Sequence, residues 1–291
     1  MRTRALAAAV LTTLLWSGSY IVNKLAFAQG VGPLTLSGLR YTLGALALTA
    51  ALRRPGSGRP LRWPRAVMQG LVCYFIGQGM QYVGQSLLDP TLASLLLNAG
   101  MVVFVVAADR IRLHEVPGRS LYGKAALLVA GMAFYYAPWS GPGQEAPVAG
   151  VLCLLLAAFG AAMNVVLNRR MLTAGVERRS LTIRPMLLGG LMMLAAGLLT
   201  ETPPVFSWAL AACVGYLAFI SGALGFSLWV WSQQTLTAVE SGAVNNAMLL
   251  EIAAMDVLFF GRELGAWQWT GIAVVFAAIT LLQIKGKADK K

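Results

Sequence analysis

Four polar side chains, Tyr74, Gln78, Gln81 and Gln85, recur at spacings of four, three and four residues in an otherwise apolar run. That spacing puts them on one face of a helix, with Tyr82 at its border. A carboxamide offers both donors and acceptors. Such a stripe can hold a small zwitterion without carrying charge itself, or it can tie neighbouring helices together. A second polar face runs through Trp16, Tyr20 and Asn23, where Trp16 is either packing or a stacking wall. Asn98, Asn164 and Asn245 fall inside other apolar stretches, as do Met101, Met248 and Trp229. Each asparagine reads equally as a substrate ligand or as a cross-helix hydrogen bond. A substrate's side chain would meet Met101, Met248, Trp16 and Trp229, and its polar head Gln78, Asn98 or Asn245.

Three ionisable residues also lie within apolar runs: Arg40, Glu251 and Asp256. Counted from the predicted span ends their depths are similar, so Arg40 can pair with one carboxylate, and a structural ion pair or a side chain snorkelling to the interface is favoured. A proton or substrate-charge site is the alternative. No cofactor and no metal are expected. The single His114 cannot build a multi-histidine site. No H-E-x-x-H or G-x-S-x-G occurs, and the one G-x-x-x-x-G-K, Gly118 to Lys124, is followed by Ala125 and not by the Ser or Thr of a phosphate-binding loop, so an enzyme is not expected. A membrane-embedded enzyme or binding protein is the reading of another class, and it lacks a convergent acid–base set. Cys73, Cys153 and Cys213 sit in apolar stretches and read as free thiols.

The elements that position these residues follow from composition. Of 291 residues, 23 are basic and 11 acidic, so 12% are charged, against about 25% in an average soluble protein. Hydrophobic residues make up 58% and mean hydropathy is +0.69. A soluble fold of this size has too much surface for so few charges. Apolar runs bounded by Pro, Gly and charge predict ten membrane helices, over 4–28, 33–53, 65–87, 90–109, 119–137, 148–170, 181–200, 206–233, 239–260 and 264–284. No cleavable leader is expected.

The net charge of +12 sits in short clusters between these runs, which points to a lipid bilayer and not to nucleic acid. Arg2, Arg4 and the clusters 53–65, 110–124, 169–184 and 285–291 all fall on one side, read as cytoplasmic. Lys24, Arg40 and Arg262 are the exceptions. Both termini are therefore expected in the cytoplasm of a cell whose inner membrane holds the protein. Trp139, Trp208, Trp267 and Trp269 fall at the outer ends, where aromatic belts form.

The two halves, 1–140 and 141–291, resemble each other at an offset near 147. Tyr74, Gln78, Tyr82 and Gln85 correspond to Ser221, Gly225, Trp229 and Ser232; Ser94, Asn98, Met101 and Asp109 correspond to Ser241, Asn245, Met248 and Asp256. Five spans per half is odd, so the second half enters from the opposite side, and inverted repeats are a device for alternating access. Leu15-Trp16-Ser17-Gly18-Ser19, Gln81-Tyr82-Val83-Gly84 leading to Ala93-Ser94-Leu95-Leu96-Leu97-Asn98, and Gly261-Arg262-Glu263-Leu264 make the chain similar to the drug/metabolite transporter superfamily, EamA type. The resemblance implies an all-α fold of two inverted five-helix repeats around a central cavity, and export of small metabolites, with amino acids foremost. Efflux of hydrophobic drugs or cations by proton antiport is the alternative. The proline that relatives often carry midway in the fourth and ninth helices is replaced here by Asn98-Ala99-Gly100-Met101 and Asn246-Ala247-Met248-Leu249. With both repeats in one chain, a monomer suffices. The first helix lacks a carboxylate, and transport is expected to follow the substrate gradient without a proton.

Overall fold

The computed structural model describes residues 2–51, 58–113, 119–136, 147–232, 235–236 and 238–283. Among these residues the chain is ten helices in sequence: α1 (Arg2–Phe27), α2 (Pro33–Ala51), α3, α4 (Pro90–Leu113), α5 (Arg119–Tyr136), α6 (Val148–Thr173), α7 (Arg178–Thr200), α8, α9 (Ala238–Phe260) and α10 (Ala266–Gln283). α3 is built from Trp63–Gln69, a π-helical Gly70–Gly79 and Met80–Leu87. α8 is built the same way, from Trp208–Gly215, a π-helical Tyr216–Leu224 and Gly225–Ser232. Arg53, Arg54, His114, Trp139 and the four lysines after residue 284 lie outside the described residues.

The boundaries follow local chemistry. Pro33 and Pro90 open α2 and α4, where a missing N–H costs nothing. The Ser207 hydroxyl accepts the Leu210 N–H and caps α8. Gly261, at φ 63°, stops α9 by taking a left-handed conformation closed to most side chains. Glu201, just past α7, accepts from the Leu34 and Thr35 amides and the Thr35 hydroxyl, and so caps the start of α2 from a neighbouring helix.

The outer surface is apolar, as a lipid-facing surface must be. Leu11, Leu14, Leu46, Leu152, Leu156, Leu198, Phe219 and Phe259 are all exposed. Trp208, Trp267 and Trp269 are exposed at helix ends, in line with an aromatic belt. By length and composition alone, Arg2–Phe27, Val148–Thr173, Arg178–Thr200 and Trp208–Trp229 can each cross a membrane. Arg40 lowers the hydropathy of α2, and the glutamine stripe that of α3. The chain is thus an all-α polytopic membrane protein.

Packing pairs helices across the two halves. α2 lies on α7 and α5 on α10; α3 packs on α6 and α7, α8 on α1 and α2; α4 packs on α6, α9 on α1. Exchanging each helix for the one five places along turns this set of partners into itself. Glycines allow the closest crossings. A Cβ on Gly160 of α6 would stand 2.4 Å from the Gly77 Cα in the π segment of α3, and one on Gly38 of α2 would stand 2.4 Å from the Leu194 amide nitrogen of α7. Small residues at helix crossings are the expected device in lipid, where backbones must approach without a hydrophobic driving force.

Candidate substrate site

The two π segments shape the centre of the bundle. A π turn widens the helix and displaces carbonyls from their usual partners. Ser221 lies in the π segment of α8, and its carbonyl accepts from Trp16 Nε1 at 3.0 Å. Its hydroxyl accepts from Arg40 Nη2 at 3.1 Å, while Arg40 Nη1 donates to the Tyr82 hydroxyl at 2.6 Å. The guanidinium therefore joins α2, α3 and α8. It also lies 5.4 Å from the ring centre of Tyr41 and 5.9 Å from that of Tyr82, within cation–π range.

The predicted stripe on α3 borders this group. The Tyr41 hydroxyl donates to Gln78 Oε1, and Tyr41 meets Tyr74 edge to face at 5.5 Å. Gln81 Nε2 donates to the Tyr20 hydroxyl at 3.4 Å. Asn23 Nδ2 donates to Gln85 Oε1 at 2.7 Å. The three glutamines thus make cross-helix bonds in this form of the protein. Tyr20, Tyr82, Gln85 and Ser221 are buried, while Trp16, Arg40, Tyr41, Tyr74, Gln78 and Gln81 keep part of their surface uncovered. Trp16 packs against Trp229, ring centres 5.3 Å apart, and against Phe226. Trp16, Tyr20, Arg40, Tyr74, Gln78, Gln81, Tyr82 and Trp229 therefore belong to one neighbourhood.

The remaining expected residues do not join it. Asn98 Nδ2 donates to the Ser94 carbonyl one turn back in its own helix. Asn164 accepts from Asn168 within α6. Met248 packs against the core of Leu249, Ile252 and Ile272, and Met101 and Asn245 are half-buried on α4 and α9. Among the described residues no hydrogen bond links these five to the Arg40 group.

The expected ion pair of Arg40 with Glu251 or Asp256 is not formed. The reason lies in helix packing: both carboxylates are on α9, which lies against α1, α4 and α10, whereas α2 lies against α7, α3 and α8. Glu251 accepts from Thr13 at 3.0 Å and from Ser17 at 2.7 Å, both on α1. Asp256, 2% exposed, accepts from Thr91 at 2.7 Å and pairs with Arg262 at 3.3 Å. Arg262 also pairs with Asp89. Burial works against the charge on Arg262, but the Asp89 bond and the two carboxylates outweigh it and hold its pKa above the ordinary arginine value. Sequence reasoning missed Tyr41, Ser221 and this Arg262 network. Arg262 was the one signal available, as a basic residue on the side where few occur.

Comparison with known proteins adds the following. The EamA-like transporter family matches twice, over residues 3–137 and 148–284. An uncharacterized protein of Pseudomonas aeruginosa is 26% identical over 96% of this chain and 94% of its own length. A Salmonella typhimurium protein named "Probable amino-acid metabolite efflux pump" is 23% identical over 93% of this chain and 92% of its own. A crystal structure at 19% identity superposes with a TM-score of 0.65 over 97% of both chains, which speaks to the fold alone.

Proposed function

We propose, on the premise that this chain belongs to the EamA-like transporter family, that it exports amino acids across the inner membrane by alternating access, down the substrate gradient. The observation that carries this reading is the group on α1, α2, α3 and α8. Hydroxyls, amides and aromatic rings from both halves of the chain converge there on a guanidinium at bilayer depth. Polar groups at that depth are costly unless they face protein or a water-filled path, and they mark substrate routes. The efflux-pump relative supports the substrate class.

Two further observations support two inverted halves, 1–140 and 141–291, as the moving parts. The family matches twice, and the helix partners map onto themselves under a five-helix exchange. The basic clusters of the sequence support cytoplasmic termini, and a single chain holding both repeats suffices as a monomer. The test is flux in proteoliposomes across the amino acids and a set of cationic dyes, with and without a pH gradient. Amino acid flux without need of the gradient supports the reading; dye flux driven by the gradient overturns it. That second outcome has its own observation: Glu251 is a carboxylate held only by hydroxyls among the described residues, and a proton antiporter needs such a group.

A further inference from the structure

We propose that Arg40 is the receptor for a substrate carboxylate, so that the site takes zwitterionic or monoanionic organic acids and refuses the corresponding amides; this rests on the transport reading above and names the chemistry of its substrate. A charged side chain at the centre of a membrane helix is costly even on the mildest scale. Such a charge is met by an opposite charge or by backbone carbonyls, and among the described residues no carboxylate pairs with Arg40. The groups facing Arg40 are Tyr20 of α1, Tyr41 of its own helix, Tyr82 of α3, and Ser221 and Tyr216 of α8. All are hydroxyls. Both carboxylates of α9 are engaged elsewhere, Glu251 by α1 and Asp256 by Thr91 and Arg262.

The guanidinium has donors to spare. It carries five N–H bonds, and the chain accepts one at Nη1 and one at Nη2. Nε is buried and has no acceptor among the described residues. Nε with a remaining Nη hydrogen is the fork that meets both oxygens of a carboxylate side-on. The Tyr41 and Tyr82 rings cover the group, and exclusion of water strengthens such a bond. A single positive charge among hydroxyls suits a monoanion better than a phosphate dianion. The hydroxyls of Tyr82 and Ser221 hold the guanidinium in place without neutralising it.

The experiment uses the full chain, in detergent for thermal stabilisation and in proteoliposomes for counterflow. The matched probes are L-phenylalanine, 3-phenylpropionate and L-phenylalaninamide, extended to the other amino acids and their deaminated acids. Carboxylates are expected to stabilise the wild type and the amide is not. Arg40→Gln should weaken carboxylate binding by ~10-fold or more, the size of a lost charge-assisted fork. Arg40→Lys keeps the charge but loses the fork, and should fall between; it carries the test if Arg40→Gln does not fold. Equal binding of acid and amide, unchanged binding in both variants, or no binding of any carboxylate overturns the proposal. If amino acids are transported equally by the variants, the export reading stands and Arg40 is not the receptor. If deaminated acids move in an Arg40-dependent way and amino acids do not, Arg40 is the receptor and the amino acid reading falls.

Discussion

Replacing Arg262 by Gln should be among the most destabilising single changes at the end of the bundle where α9 meets α10. Arg262 bridges Asp89, in the link between α3 and α4, and Asp256 of α9. The side chains of Asp256 and Arg262 are 2% and 13% exposed, that of Asp89 23%. Loss of the guanidinium leaves Asp256 buried with, among the described residues, the Thr91 hydroxyl as its partner. Breaking a buried pair from one side costs about 3–5 kcal/mol, mostly the stranded charge. Asp89 reaches solvent and adds little, so about 3 kcal/mol is expected. Asp256→Asn in the same chain removes the stranded charge, and the double variant should recover to within about 1 kcal/mol of wild type. Unfolding in detergent can be followed with a thiol-reactive dye, because Cys73 is free and buried. A loss below about 1 kcal/mol in Arg262→Gln, or a double variant no better than the single, would refute the view that charge burial dominates here.

Gly160→Ala should cost about 1–3 kcal/mol by forcing α6 off the π segment of α3, because its Cβ would stand 2.4 Å from the Gly77 Cα. Gly123→Ala on α5, where a Cβ meets nothing within 4 Å, should be neutral or stabilise by up to about 1 kcal/mol; both are read in the same thermal assay. Glu251→Gln should keep substantial transport and leave the response to a pH gradient unchanged, since its bonds to Thr13 and Ser17 tie α9 to α1 and a glutamine can keep part of them. A severalfold gradient response in wild type that this variant loses would make Glu251 the coupling group. A reporter fused after Lys291 should be cytoplasmic and one inserted between Pro142 and Glu145 external; both on one side would contradict the ten-span orientation.

The helices were legible because lipid leaves the chain little choice. Each span must be an apolar run that satisfies its own backbone, and Pro33, Pro90 and Gly261 punctuate the runs where the helices begin or end. The π segments were not legible. The apolar pattern of Gly70–Gly79 fits an ordinary helix, and an added residue per turn leaves no mark in composition. The stripe of Tyr74, Gln78 and Gln81 was readable as one face, but its partners Tyr41 and Tyr20 depend on how α1 and α2 lean on α3. Arg40 was visible by its depth, and its partners were misjudged for the same reason: depth says how far along a helix a charge sits, not which helix lies opposite.

The repeat makes the same point from the other side. Positions that correspond in the two halves need not do the same work. Tyr74 and Ser221 correspond at an offset of 147; the tyrosine packs its ring against Tyr41, whereas the serine offers a small hydroxyl and leaves space that the Arg40 guanidinium fills. Arg40 itself has no charged counterpart. The positions 145 to 147 residues further on are Pro185, Met186 and Leu187, and Met186 packs with Ala45, Leu48 and Ile183. Symmetry supplies two halves that can exchange conformations, and a symmetric site would present the same chemistry from both. The substrate proposed here, an amino acid, is not symmetric: it has a charged head and a side chain. A bundle with a cation on α2 and an apolar surface at the equivalent place on α7 distinguishes the two ends, and it can fix the orientation of such a molecule while its scaffold stays two-fold.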